Sequence, residues 1–264
     1  MANLNLPPSF FRKTGEGKYE PTEATIGPWS SDLQHGGPPC ALLTHALRIF
    51  PSPENLKMVR VTIEFFSAVP IKPCEIKIKK IRVGKKIELL RGQYISGGKT
   101  FLLAHAWRFE SQISISKPIP DEFKLPQLPG PQVQKSFPGV NYFPYLDALE
   151  WRFTEGSFDK MGPAKVWTRP RIPLIEGCAT DGLESLILMI DSANGVSAEL
   201  DVLNWTFVPV DMTVGFYRHP IGPWVGMAAR TSIGNEGIGQ STTTIFDSKG
   251  SIGNSMHTLF IRPR

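Results

Sequence analysis

The stretch His35-Gly36-Gly37-Pro38-Pro39-Cys40-Ala41-Leu42-Leu43 sets how the chain around it is read. Two glycines allow close approach to the backbone. Two prolines follow, and proline is tolerated in the first turn of a helix, where its missing N–H costs nothing. An apolar run then continues to Phe50, where Pro51 and Pro53 stop it. The pattern predicts a helix from Gly36 to about Phe50, with unpaired N–H groups at its start that suit a carbonyl or an anion. Taken alone, the stretch equally fits a tight turn opening a core helix.

Working outward, Ile26-Gly27-Pro28-Trp29 brings a large aromatic next to the His35 turn, and Pro7–Thr25 reads as a lead-in segment. After the helix come strand-like runs, Met58–Val69, Cys74–Val83, Lys86–Ser96 and Thr100–Glu110, separated by turns. Ile76-Lys77-Ile78-Lys79 alternates with period two, as a strand with one wet face should. A helix followed by an antiparallel meander is expected. Between Lys117 and Pro144 prolines are too dense for helix or central strand, which marks a linker.

Beyond the linker the pattern restarts, with strands at Leu149–Glu155 and Ala164–Arg169. Asp181-Gly182-Leu183-Glu184 then opens a second helix with the spacing of a capping box. Ser185–Ile190 is apolar almost all round, so this helix should be buried on most sides. It is expected to end near Asp191–Gly195, with Asn194 as a C-cap. Strands follow at Trp205–His219, Trp224–Ile233, Ile238–Asp247 and Ser251–Arg262. The two halves also match: Phe66–Pro73 aligns with Phe216–Pro223 at an offset of 150 residues, and the turns after each stay in step.

The His-Gly-Gly-Pro-Pro helix start, the repeated helix and meander, Asp191 near a helix end, and the closing strand into Arg262-Pro263-Arg264 resemble the double hotdog proteins. Type II acyl-CoA thioesterases and their thioesterase-like relatives are the group most similar. The resemblance implies an α+β fold of two tandem hotdog repeats, each a long central helix wrapped by a curved antiparallel sheet. Residues 1–116 and 142–264 would be the repeats, and 117–141 the linker. It also implies hydrolysis of acyl-CoA to fatty acid and coenzyme A by an activated water, with no metal and no cofactor. The family holds that water with an Asp, a Thr and a Gln. Asp191 matches the first, Pro209 stands where the Thr would be, and His257 where the Gln would be.

Two physical effects mark Asp191 independently. Burial behind Leu186–Ile190 and the negative end of a helix dipole both disfavour its charge, so a raised pKa and a general-base role are expected. With His257 it makes the candidate catalytic pair. Gly36, Gly37, His35, Gly182 and Trp29 are the candidates for the oxyanion or the substrate. Trp107 is a second candidate flank for an acyl pocket. A hotdog hydratase or dehydratase acting on an enoyl thioester, and a non-catalytic acyl-thioester binder, are the alternatives. Thiol release separates the hydrolase from both.

Composition bounds the rest. Three cysteines, far apart and never in a CxxC pair, fit neither a zinc site nor a disulfide framework and suit a reducing cytoplasm. Net charge is +5 and spread out, which suits a phosphorylated small ligand but not nucleic acid. No apolar run has the length of a membrane span. A duplicated chain supplies the pairing that single hotdogs need two subunits for, so a homo-oligomer stays open. His35-Gly36-Gly37 also occurs in the oxyanion turn of α/β-hydrolases, but no Gly-x-Ser-x-Gly elbow accompanies it.

Overall fold

A computed structural model describes residues 5–52, 55–112, 117, 119 and 121–264. Of the expected linker, Pro118 and Pro120 lie outside the described residues, as does the expected boundary at residue 116. The strands are β1 (Phe11–Gly15), β2 (Lys18–Pro21), β3 (Leu56–Phe65), β4 (Cys74–Arg82), β5 (Ile87–Ser96) and β6 (Lys99–Glu110) before the linker. After it come β7 (Leu149–Ser157), β8 (Lys160–Pro170), β9 (Trp205–Pro209), β10 (Asp211–Phe216), β11 (Val225–Ile233), β12 (Ile238–Asp247) and β13 (Gly250–Pro263). The helices are α1 (Gly37–Ile49), α2 (Pro144–Ala148), α3 (Gly182–Ile190) and α4 (Ala193–Val196).

Among the described residues thirteen strands join one antiparallel sheet, in the order β1-β2-β4-β5-β6-β3-β10-β13-β12-β11-β8-β7, with β9 paired to β13. Read inward from either end, a hairpin leads to the same three-strand meander and then to an inner strand. The two inner strands, β3 and β10, pair from Asp211↔Glu64 to Gly215↔Arg60. The sheet encloses α1 and α3, which pack on one another. Apolar faces of both sheet halves and both helices fuse into one core cluster.

Local chemistry explains the elements. α1 starts on two glycines and two prolines and is buried from Gly37 to Thr44. Asp181 and Glu184 form the expected capping box at the start of α3, and every side chain from Leu183 to Ile190 is buried. Three expectations are corrected. The lead-in segment is in part a strand hairpin, β1–β2, whose outer strand bridges to Ile175. The run Trp205–His219 is two strands broken at Val210, whose N–H bonds across to the Thr258 carbonyl. Asn194 is no C-cap but lies inside α4, its Nδ2 donating to the Phe207 carbonyl at 3.1 Å.

Between Asp121 and Asn141 the linker contains no helix or strand. It is not a passive tether, because Phe137 and Val140 pack against the core. Among the described residues no helix is long and apolar enough to cross a membrane.

Candidate active site

The start of α1 and the end of α3 meet beside a cavity of about 750 Å³. Aromatic and aliphatic side chains wall it: Phe137 and Val140 from the linker, Phe143 at the start of α2, Trp151 and Phe158 from β7 and its turn, and Phe207 from β9. His35, Gly36, Asp191 and Ser192 close one side, and Trp29 and Arg264 lie together at another, with the guanidinium carbon 5.3 Å from the ring centroid.

Asp191 caps the C-terminus of α3 and is 6% exposed. Its Oδ2 lies 2.9 Å from His35 Nδ1. The fit around the carboxylate depends on glycine. A Cβ on Gly36 would lie 2.8 Å from both carboxylate oxygens, and one on Gly37 only 2.3 Å from the Leu188 carbonyl oxygen. Residues without side chains therefore let the first turn of α1 press against the last turn of α3. Pro38 and Pro39 carry no N–H, so the donors at the start of α1 are those of the glycines.

The expectation of a raised Asp191 pKa is overturned. Burial does work against its charge, but the neighbouring His35 imidazole and the Gly37 N–H outweigh burial, and the carboxyl is held below its ordinary range. The positive end of the α1 dipole adds to this and opposes that of α3. Asp191 is thus an ionised carboxylate with Oδ2 beside His35 and Oδ1 buried without a partner among the described residues, a weaker proton acceptor than expected.

His35 is held on three sides. Its N–H donates to the Thr25 carbonyl at 2.7 Å, Nδ1 meets Asp191, and its ring stacks on Tyr145 with centroids 3.7 Å apart and planes 9° from parallel. The Tyr145 hydroxyl donates to the Leu188 carbonyl at 2.6 Å and lies 2.9 Å from Ser192 Oγ, which ties α2 to the end of α3. Burial pushes the phenol pKa up, so it stays neutral. Sequence reading missed Tyr145 because the linker's end reads as loop. The signal present was Phe143-Pro144-Tyr145, a proline in the first turn of a helix.

His257 lies near enough to Asp191 for each to shift the other's pKa. It is fully buried and does not line the cavity, and neither ring nitrogen finds a partner among the described residues. Burial lowers its pKa, outweighing Asp191 and Asp211, which raise it, so the ring is neutral. Its register neighbour Ser241 on β12 is buried as well. Pro209 lines the cavity, paired to Leu259, and offers no donor there.

Two candidates do not join this site. Gly182 opens α3 at the other end of the helix, packed against Pro220, where the capping box occupies the helix N-terminus. An oxyanion there would have to compete with Asp181 Oδ1, which accepts from the Glu184 N–H at 3.0 Å, and with the Glu184 carboxylate, whose Oε1 accepts from His45 Nδ1 at 2.6 Å and from Arg48 Nη2 at 2.7 Å. Trp107 is only half-buried and stands beside Arg82 and Phe109, away from the cavity. Among the described residues, no three His, Cys, Asp or Glu side chains converge as a metal ligand set would.

Comparison with known proteins follows the same lines. Residues 25–109 match the acyl-CoA thioesterase N-terminal domain, and residues 120–261 match the C-terminal domain. No curated protein matches. Among solved structures, the chain is similar to a conserved hotdog-fold protein of unknown function from Alicyclobacillus acidocaldarius. The TM-score is 0.72 at 15% identity, covering 96% of this chain and 95% of that one. It is also similar to the acyl-CoA thioesterase II TesB2 of Mycobacterium marinum, with a TM-score of 0.67, 15% identity and 96% of each chain covered. For the tesB protein of Mycobacterium avium subsp. paratuberculosis the TM-score is 0.64, again at 15% identity and 96% of each chain. At that identity the structures speak for the hotdog fold, and the matched domains speak for ancestry: this chain belongs to the acyl-CoA thioesterase family.

Proposed function

We propose that the chain is two tandem hotdog repeats, 1–116 and 142–264, bridged by 117–141 and packed as one globule, and that it hydrolyses acyl-CoA to free acid and coenzyme A. The strand order, alike when read inward from either end, supports the duplication. The observation that carries the activity is the ionised, buried Asp191 bound to His35 on the wall of a largely apolar 750 Å³ cavity. An acyl chain fits such walls, and a fixed negative charge with an imidazole beside it is what activation of a water requires. Gly36 supplies a backbone N–H on the same wall for the developing oxyanion. Trp29 and Arg264 suit the polar part of the substrate. The three unpaired cysteines suit a reducing cytoplasm.

A thiol-release assay over acyl-CoA esters from short to long chain tests the reading. Thiol release with a chain-length optimum supports it. Loss of enoyl absorbance without thiol release would indicate a hydratase, and binding with neither signal a non-catalytic carrier.

A further inference from the structure

We infer that the β4–β5 turn and the outward sheet face beside it dock on an anionic lipid surface. Val83 and Ile81 enter the headgroup region, and the lysines and arginines around them meet the phosphates. This docking is independent of the hydrolytic reading above.

Charge is concentrated there. Lys77, Lys79, Lys80, Arg82, Lys85 and Lys86 fall within ten residues, and no acid stands between Glu75 and Glu88. Glu75 takes up Lys77 at 3.1 Å. Glu88 is buried, with Arg108 at 3.2 Å and Lys80 at 3.7 Å. Lys79, Arg82, Lys85 and Lys86 are exposed and form no ion pair among the described residues. The fold does not require this charge. β11 and β12 occupy the corresponding places in the second half, and at the 150-residue offset their turn reads Ile233-Gly234-Asn235-Glu236. Residues 227–236 carry one Arg and one Glu where 77–86 carry six cations.

Exposed apolar side chains sit among these cations. Val83 is 76% exposed at the turn, and Ile81 is 47% exposed. Ile81 is the extra residue of a bulge: Lys80 pairs with Leu90 and Arg82 with Leu89, which leaves it outside the ladder. Ile87 and Phe109 are register partners, both exposed, with Lys57 next in the row. Arg82, Leu89, Trp107 and Arg60 form the adjoining row, and the Arg82 guanidinium carbon stands 5.8 Å from the Trp107 ring centroid. Directly opposite residues share a face of the sheet. One surface therefore offers branched and aromatic carbon bordered by positive charge.

A bilayer surface of anionic phospholipid uses both features. Its phosphates attract clustered Lys and Arg, and the boundary beneath them takes up apolar side chains, so the two signals together hold a protein that one alone holds weakly. Nucleic acid would leave Val83 and Ile81 in water. A second copy would set like charge against like across a two-fold contact. The phosphates of a substrate in the cavity are out of reach. α1 is 13 residues, about 20 Å, long, and its start lies beside Asp191. Its end lies here, where Arg108 Nη1 donates to the Phe50 carbonyl at 2.7 Å and Lys80 Nζ stands 5.8 Å from the Phe50 ring centroid. None of the six cations lines the cavity.

The test floats the full chain with vesicles of phosphatidylcholine alone and with vesicles containing about a third phosphatidylserine, at low and high salt. The parent should rise with the anionic vesicles, stay behind with the neutral ones, and come off at high salt. Lys85→Glu with Lys86→Glu should weaken partitioning by roughly 10²–10³-fold, and Val83→Asp by at least about tenfold. These side chains are exposed and away from the cavity, so both variants should melt with the parent. Lys124→Glu with Lys160→Glu makes the same change of net charge at exposed positions in the linker and in β8, and should leave partitioning within about twofold. Equal loss in that control means that net charge alone attracts the protein. Unchanged binding by Val83→Asp means that the tip does not enter the surface, and no flotation of the parent means that lipid is not the partner. Each of these overturns the inference. So does a parent that stays in solution as a dimer and becomes a monomer on reversal of Lys85 and Lys86, which would make this face a contact between copies.

Discussion

Gly36 leaves no room between the first turn of α1 and the carboxylate of Asp191: a methyl group there would stand 2.8 Å from both oxygens. Those oxygens cannot swing away freely, because the side chain is buried and tied to His35. Gly36→Ala should therefore displace the carboxylate and loosen the imidazole. Thiol release should fall by at least about tenfold, and overpacking should cost about 1–3 kcal/mol of stability. A Gly36→Ala protein with parental turnover would show that the carboxylate position does not matter.

Acid should destabilise the fold from two directions. Asp191, with its folded pKa below the ordinary carboxylate value, contributes stability that is present above that value and lost as pH falls through the folded one. His257 is neutral in the fold with its pKa below the ordinary 6.5. The unfolded chain takes up that proton first, so its share of stability is lost as pH falls below 6.5 toward the folded value. Melting temperature should drop across this window, and His257→Gln should flatten the upper part of the fall. Parallel curves for parent and variant would remove His257 from the acid response.

The far end of the helix pair should behave differently. Glu184 is almost fully buried, caps α3 and binds His45 and Arg48 of α1. Burial opposes its charge, but the His45 and Arg48 partners prevail and hold the carboxyl below its ordinary range. Glu184→Ala should cost about 2–4 kcal/mol, because it strands partners of which Arg48 alone still reaches solvent well. Turnover per folded molecule should stay within about twofold, an effect too small to register as lost catalysis. An unchanged melting curve would contradict this.

Most of this architecture was legible because it is written in periodicity and punctuation. Prolines bracket α1, the capping box opens α3, and turn glycines keep step between the halves. The β1–β2 hairpin was not legible, since Phe11-Arg12-Lys13-Thr14-Gly15 is polar and its partner strand has only four residues. In the site, Asp191 and His35 stood out as residues, but their pairing did not. Nothing in the sequence says that the first turn of α1 meets the last turn of α3. That meeting reversed the expected direction of the Asp191 pKa, because a partner 2.9 Å away outweighs burial. Gly182 failed for the same reason: its own helix end was already occupied.

Trp29 is nearly half exposed, lines the cavity and carries Arg264 on its face. Its indole has no group that takes a proton from water, so its contribution should be the same in the ground and transition states. Trp29→Ala should raise KM several-fold and leave kcat within about twofold. A fall in kcat at unchanged KM would place Trp29 in the chemistry instead.

The central claim is that a fixed charge at Asp191 organises the activation of water. Asp191→Asn keeps the size of the side chain and removes the charge. The amide carries no charge and has no oxygen basic enough to take a proton from water. Single-turnover thiol release by this variant, measured beside its melting temperature, is the most direct test. The account predicts a rate lower by roughly 10²–10⁴-fold in a protein that still melts cooperatively. Parental thiol release from a folded Asp191→Asn protein would contradict it.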